Sequence, residues 1–291
     1  MRISQGVGVR GRLIWLVAAV LILAGCRGKS GTDTPAASSV PQRVICASPA
    51  VAEIVFALGC GDRVVGVSEF TDWPPEAAQK PIIGGALSPN RERILALEPD
   101  LILTQGRSEA LGGFAQAQQI GYLSLPLDTL ADLRAMSAGF AAALGVENRG
   151  RELLAEMDAD FAAISVCAYT PVFLALGHAP GDLSGLMTSG PDTFLSEIVA
   201  KAGGSNVFAD VNVLWPKISQ ETLIRRQPAL VLDFQTAPMD TARQAALIAD
   251  WEKLGFQAGQ VRILEEDYLL RPGPRAAQAA ARIAAAICAK Q

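Results

Sequence analysis

Apolar and polar positions along this chain change their period several times. Residues 13–23 form an unbroken apolar run. From 43 to 125, short β-rich runs alternate with stretches of helical period. The spacing predicts strands over 43–48, 64–68, 101–105 and 122–125, and helices over 51–58, 91–97 and 113–119. Gly59 stops the first helix, Trp73-Pro74-Pro75 and Gly84-Gly85 mark loops, and Pro99-Asp100 separates the second helix from its strand. Such alternation is the signature of α/β units around a parallel sheet.

From 130 to 164 the period is helical throughout. Leu133, Met136, Phe140 and Leu144 are followed by Leu153, Leu154, Met157, Phe161 and Ile164. One long helix over 130–166, kinked at Gly145 and Gly150, is the expectation; two consecutive helices fit the same period. A second α/β series follows, with strands at 172–176, 230–234 and 261–264 and helices at 193–202, 219–225, 242–254 and 274–288. The halves echo each other: the helix–proline–strand pattern of 93–103 around Pro99 returns at 223–232 around Pro228. The predicted fold class is therefore α/β, with two Rossmann-like lobes joined by one long helix. The lobes are 42–129 and 167–291, with the bridge at 130–166.

The apolar run at 13–23 follows Arg2, Arg10 and Arg12 and ends at Leu23-Ala24-Gly25-Cys26. A basic start, an apolar stretch too short to span a bilayer and a small-residue cut site make a secretory signal over 1–25. Cysteine at the cut site makes it resemble a bacterial lipoprotein signal. That implies lipidation of Cys26 and an extracytoplasmic protein held on the cell or outer membrane, facing the periplasm, by acyl chains. Residues 26–41, rich in Gly, Ser, Thr, Ala and Pro, are the expected tether.

Half of the residues are hydrophobic and 19% are charged, which fits a globular chain. The formal charge is −4 and no basic run occurs, which argues against a nucleic-acid partner. There is no G-x-S-x-G, P-loop or H-E-x-x-H, and the only histidine is His178, so no enzyme is expected. Cys46, Cys60, Cys167 and Cys288 lack zinc-site spacing, and no metal site or cofactor is expected. Their compartment permits disulfides. Three pairings are open; Cys46–Cys60 with Cys167–Cys288 is preferred, and buried free thiols fit as well.

Several runs carry a family resemblance. They include Ser48-Pro49, Glu53 to Gly59, Asp62 to Val67, Asp72-Trp73-Pro74-Pro75, Glu92-Arg93-Ile94, Gly203 to Phe208, Trp215-Pro216-Lys217-Ile218-Ser219 and Arg271-Pro272-Gly273-Pro274-Arg275. Together they resemble the helical-backbone class of substrate-binding proteins that serve ABC importers of vitamin B12, ferric siderophores and haem, and they cover nearly all of 42–291. The resemblance implies a monomer that captures a small molecule between its lobes. The loaded protein then docks on a permease dimer with its ATPase subunits. By motif position the docking carboxylates are Glu92 and Glu221, one per lobe, each able to pair with an arginine.

Loops after the strands should line the cleft. Candidates are Ser48, Pro49, Phe70, Trp73 and Ala86 in the first lobe, and Gly177, His178, Trp215, Asp267 and Arg271 in the second. A large flat ligand wants aromatic faces, here Phe70, Trp73 and Trp215, and a few polar groups, here Asp267 and Arg271. These positions are most similar to the vitamin B12 binders, so the expected ligand is a cobalt corrinoid. A ferric siderophore or haem is the alternative. His178 is eligible as an axial ligand to haem or as the lower base of a corrinoid.

Overall fold

The computed structural model describes residues 40–85, 88–178 and 181–289. The expected lipidation site Cys26, its signal and most of its tether lie outside these residues, as does Ala86.

The first lobe contains β1 (Val44–Cys46), α1 (Pro49–Ala57), β2 (Val64–Val67), α2 (Arg91–Ala96), β3 (Leu101–Gln105), α3 (Glu109–Ala117) and β4 (Gly121–Leu125). Then come α4 (Leu130–Ala143) and α5 (Glu147–Ala162). The second lobe contains β5 (Thr170–Ala175), α6 (Phe194–Lys201), β6 (Gly204–Asn206), α7 (Gln220–Arg226), β7 (Leu230–Phe234), α8 (Thr241–Lys253), β8 (Val261–Leu264) and α9 (Ala276–Cys288). Each sheet is parallel and four-stranded. The orders β2-β1-β3-β4 and β6-β5-β7-β8 are the same path taken twice. Helices cover both faces, so the inner strands are buried and read as near-continuous apolar runs, Leu-Ile-Leu in β3 and Leu-Val-Leu in β7. The sequence echo is structural. Both α2 and α7 are short helices capped by a side chain, Asn90 or Ser219, that accepts from a backbone N–H. Each is followed by a left-handed residue, Glu98 or Gln227, and then the proline that leads into the inner strand.

The bridge departs from the single helix expected. After Leu144 caps α4, Gly145 is left-handed (φ +67°) and Val146 donates to the Ala141 carbonyl at 2.8 Å. This is a Schellman stop, which glycine adopts without Cβ strain. The chain then reverses, and α5 lies against α4, with Arg134 on the one paired to Asp158 on the other. The bridging element is therefore α5. Near its start Arg149 donates to the Ala57 carbonyl of the first lobe at 3.1 Å, and the helix packs on α9 of the second. Its 16 residues span about 24 Å.

A disulfide joins Cys167 to Cys288, at the end of α9, and closes the second lobe. Cys46 and Cys60 are buried and free. Cys46 pairs with Val67 at one end of the sheet, whereas Cys60 precedes Val64, which pairs with Val44 at the other, so the preferred bridge does not form. Burial pushes the Cys46 thiol far up, which keeps it protonated and inert. Among the described residues no helix is long and apolar enough to cross a membrane.

Candidate functional site

All eight strands are parallel within their sheets, so the loops after their carboxyl ends gather at one edge of each lobe. Two depressions lie there. One, of about 630 Å³, is lined by Leu176, Gly177, His178, Met187, Phe194, Trp215, Phe234, Gln235, Leu270 and Pro272, with Leu127 and Asp128 from the segment entering α4. The other, of about 570 Å³, is lined by Gln105, Gly106, Arg107 and Ser124, and it meets the first at Leu127 and Asp128. Each volume falls in the range of small-molecule sites. The half contributed by the second lobe is mostly apolar; the half contributed by the first is mixed, with Leu125 and Pro126 beside Gln105, Arg107 and Ser124.

The apolar half is built on a short ladder beyond β5. Leu176 and Met187 exchange backbone hydrogen bonds, and Met187 bridges onward to Lys217. Thr188 donates to the Pro216 carbonyl and Gly190 to that of Leu214 (3.0 and 2.8 Å). These bonds carry Trp215 to the cavity wall and leave 46% of its surface open. Gly190 permits the approach: a Cβ there would sit 2.0 Å from the Val213 carbonyl oxygen.

The predicted residues divide. Gly177, His178 and Trp215 line the larger cavity. Ser48 and Pro49 line neither depression; the Ser48 hydroxyl caps α1 and donates to Gln105 Oε1, while Pro49 is the first helical residue. Phe70 stands 83% exposed in a left-handed conformation (φ 62°). That conformation is uncommon for a bulky residue and clusters at functional sites. Trp73 is part exposed and carries the Arg275 guanidinium on its face, 5.0 Å from the ring centre.

His178 is not presented as an axial base. Its ring is wholly buried, with Nε2 3.1 Å from Asp233 Oδ1 and its plane edge-on to Trp251. Asp233 also accepts from Trp251 Nε1 at 2.7 Å and from Gln235 Nε2 at 2.6 Å. Trp251 and Asp233 thus turn the only imidazole toward the interior of the lobe. Among the described residues no group of three His, Cys, Asp or Glu side chains could hold a metal ion.

Arg271 and Asp267 are bound to each other, within a cluster that crosses from lobe to lobe. The Arg271 guanidinium contacts Asp267 (2.5 Å), Asp72 (2.7 Å) and Glu53 (2.9 Å). Burial works against its charge, but the bonds to Asp72 and Glu53 and the fields of Asp267 and Glu53 outweigh that and raise its pKa. Burial likewise raises Asp72, yet the Arg271 hydrogen bond and charge prevail and hold it below the ordinary carboxylate range. Leu270 and Pro272, either side of Arg271 in the chain, line the cavity, while Arg271 and Asp267 are turned into the cluster rather than onto the cavity wall. Glu53 and Asp72 are the participants that the sequence reading missed. Glu53 had a signal, as the one acid inside an apolar helix.

Glu92 and Glu221 lie exposed in the first turns of α2 and α7, the equivalent helices of the two lobes. Three residues on from each stands an exposed aliphatic side chain, Leu95 or Ile224.

The chain is similar in sequence and fold to proteins of known character. The vitamin B12-binding protein of Pectobacterium carotovorum is 31% identical over 270 residues, 87% of this chain and 91% of its own. Among solved structures, the periplasmic vitamin B12 binding protein BtuF of Vibrio cholerae superposes with a TM-score of 0.60 at 26% identity, over 85% of this chain and 97% of that one. The periplasmic heme-binding protein RhuT of Roseiflexus gives 0.69 at 26%, over 84% and 97%. The periplasmic binding protein family model matches residues 44–246, from β1 into α8. With its two parallel-sheet lobes and a cleft at their strand ends, this chain belongs to the periplasmic binding protein family.

Proposed function

We propose that this protein captures a cobalt corrinoid of the vitamin B12 type outside the cytoplasm and delivers it to an ABC permease. The observation that carries the cargo is the 31% identity to a vitamin B12-binding protein along nearly the whole of both chains. The cleft is consistent with it. Trp215 gives a half-open aromatic face beside an apolar cavity, Phe70 is an exposed ring on the other lobe, and Arg271, with its Nη groups bonded to Glu53, Asp72 and Asp267, keeps its Nε–H for an acceptor. Trp73 joins them through Arg275. The cobalt is cargo, and the buried ring of His178 is not offered to it. Haem or a ferric siderophore is the second reading, supported by the likeness to a heme-binding structure. Haem is disfavoured by the complete burial of the His178 side chain.

Glu92 and Glu221 are the proposed docking carboxylates, one per lobe, for arginines of a two-subunit permease with its ATPase subunits. Their places on equivalent helices support this, since a symmetric pair of subunits needs equivalent anchors. Lipidation at Cys26 would hold the protein on the cell membrane or the outer membrane, facing the periplasm.

The cargo test is thermal unfolding of the protein against cobalamin, cobinamide, haem and ferric siderophores. A ligand at about 100 times its Kd adds roughly 2.7 kcal/mol, a rise of about 5–10 °C for a protein of this size. A rise with corrinoids alone is expected; a rise only with haem or a siderophore would replace the cargo. For docking, Glu92→Ala with Glu221→Ala should abolish uptake and leave corrinoid affinity unchanged. Normal uptake in the double variant would refute the assignment.

A further inference from the structure

Glu53 is the most unusual charge in this protein. It sits within the apolar helix α1, and its side chain is 2% exposed. A carboxylate in that position is costly unless it is paired and hydrogen-bonded. Both of its partners come from the other lobe. Arg275 grips it with two bonds, Nε to Oε2 at 3.0 Å and Nη2 to Oε1 at 2.6 Å, and Arg271 Nη1 donates to Oε1 at 2.9 Å. The partners are 218 and 222 residues away in the chain. Arg275 is itself sandwiched between Trp73 of the first lobe, at 5.0 Å, and Tyr268 of the second, at 4.9 Å. On the outside, Asp72 takes the same Nη1 of Arg271 that Glu53 holds, and Asp72 is 60% exposed.

The arrangement is graded. Its inner part is buried, bidentate and planar, which is the geometry that fixes a guanidinium. Its outer part is open to water and weakly held. Neither lobe could satisfy its own charges alone: Glu53 would be buried without a partner, and Arg271 would lose two of its three carboxylates. Arg271 spends its Nη groups on this cluster. Its Nε–H has no hydrogen-bond partner among the described residues, and its chain neighbours Leu270 and Pro272 line the cavity.

We propose that Glu53 is a positioning residue: it clamps Arg271 and Arg275 across the boundary between the lobes, fixing the border of the cleft and presenting Arg271 in one orientation to hydrogen-bond acceptors of the cargo. The clamp stands on the geometry alone; its effect on binding rests on the corrinoid reading above. Preorganisation of this kind raises affinity by removing the cost of ordering the donor at binding.

The experiment joins two measurements on the full protein. The first is amide hydrogen exchange without ligand, in wild type and Glu53→Gln. Exchange should accelerate at least tenfold in peptides covering 69–75 and 267–276 and stay unchanged in β5 and β7. Unchanged exchange around 267–276 would overturn the clamp. The second is the Kd for cyanocobalamin in wild type, Glu53→Gln, Arg271→Ala and the double variant. Glu53→Gln should weaken binding tenfold or more in the wild-type background and at least threefold less than that once Arg271 is gone, because the effect carried through Arg271 is then absent and only that through Arg275 remains. Equal losses in both backgrounds would show that Glu53 acts through the fold at large and would overturn the positioning role. If Glu53→Gln does not fold, Asp72→Asn at the exposed rung should give changes of two- to fivefold in the same directions, and no change would overturn the proposal. Failure of wild type to bind any corrinoid would end the cargo reading, and exchange alone would then decide the clamp.

Discussion

Trp215→Ala is the sharpest test of the cleft. The indole is 46% open at the wall of the larger cavity. Of the ~250 Å² that a tryptophan can bury, on the order of 100 Å² is therefore left for a ligand to cover. At ~25 cal/mol per Å² that contact contributes about 2.5 kcal/mol, close to a hundredfold in Kd. The fold should tolerate the loss. The segment is held by the backbone bonds of Thr188 to Pro216 and Gly190 to Leu214, which do not involve the indole, so the fold should persist, although the buried half of the ring, on the order of 130 Å², contributes about 3 kcal/mol to stability. Calorimetric titration of cobinamide or cyanocobalamin gives the affinity, and thermal unfolding of the free variant gives the stability. Weakening of thirty- to a hundredfold, measured well below a Tm lowered by about 6–12 °C, is expected, and Trp215→Phe should recover most of both. A change below threefold, with folding intact, would remove Trp215 from the cargo site and refute the argument from its exposure.

Gly190→Ala should weaken cargo binding at least tenfold and lower stability by about 1–3 kcal/mol, because its Cβ forces residues 213–216, and Trp215 with them, away from the cavity; titration and unfolding of one variant read both. Reducing the Cys167–Cys288 disulfide, which closes a 121-residue separation, should cost roughly 4–5 kcal/mol and lower the Tm by about 10 °C or more, and calorimetry with and without reductant would show no difference if the bridge were absent. Asp72 has a folded pKa below its unfolded one, so its pairing with Arg271 stabilises the protein fully above the ordinary carboxylate range and fades as pH falls through the lowered value. The gap in urea midpoint between wild type and Asp72→Asn should accordingly be constant near neutral pH and shrink below about pH 4; a gap that widened in acid would contradict the pairing.

Most of the fold was legible because its signals are local. Strands β3, β7 and β8 fall where their apolar runs are bounded by Gly, Pro or a charge, and the repeat of helix, proline and strand marks the two lobes in the sequence itself. Local signals failed in three kinds of place. The period over 130–164 was uniform, so it could not say that Gly145 would reverse the chain instead of bending it. β6 is three residues, Gly-Ser-Asn, without a β-branched side chain; its pairing with β5 makes it a strand. The site was hardest, since its partners are far apart in the chain. Arg271 and Asp267 were visible as an exposed-looking pair, while Glu53, more than two hundred residues earlier, decides where that arginine points. His178 followed a strand and so looked like a ligand, but Trp251 and Asp233 supply an apolar edge and an acceptor that draw it inside.

The internal repeat is informative where it breaks. The two lobes share strand order, the capped helices α2 and α7, and a glutamate and an aliphatic side chain three residues apart on each. A symmetric pair of permease subunits would read this part, and a loss of equivalence between Glu92 and Glu221 would cost one contact of two. At the strand ends the lobes share little. The second adds the Met187–Lys217 ladder that carries Trp215 beside an apolar cavity, whereas the first offers Gln105, Arg107 and Ser124 and the strained, exposed Phe70. A cleft with one apolar aromatic wall and one wall of mixed polar and apolar groups suits a cargo that carries both kinds of surface, as a flat macrocycle with amide arms does. The repeat was thus kept where a symmetric partner would demand it and lost where the bound molecule is asymmetric, which ties the proposed docking and the proposed cargo to different parts of one duplicated frame.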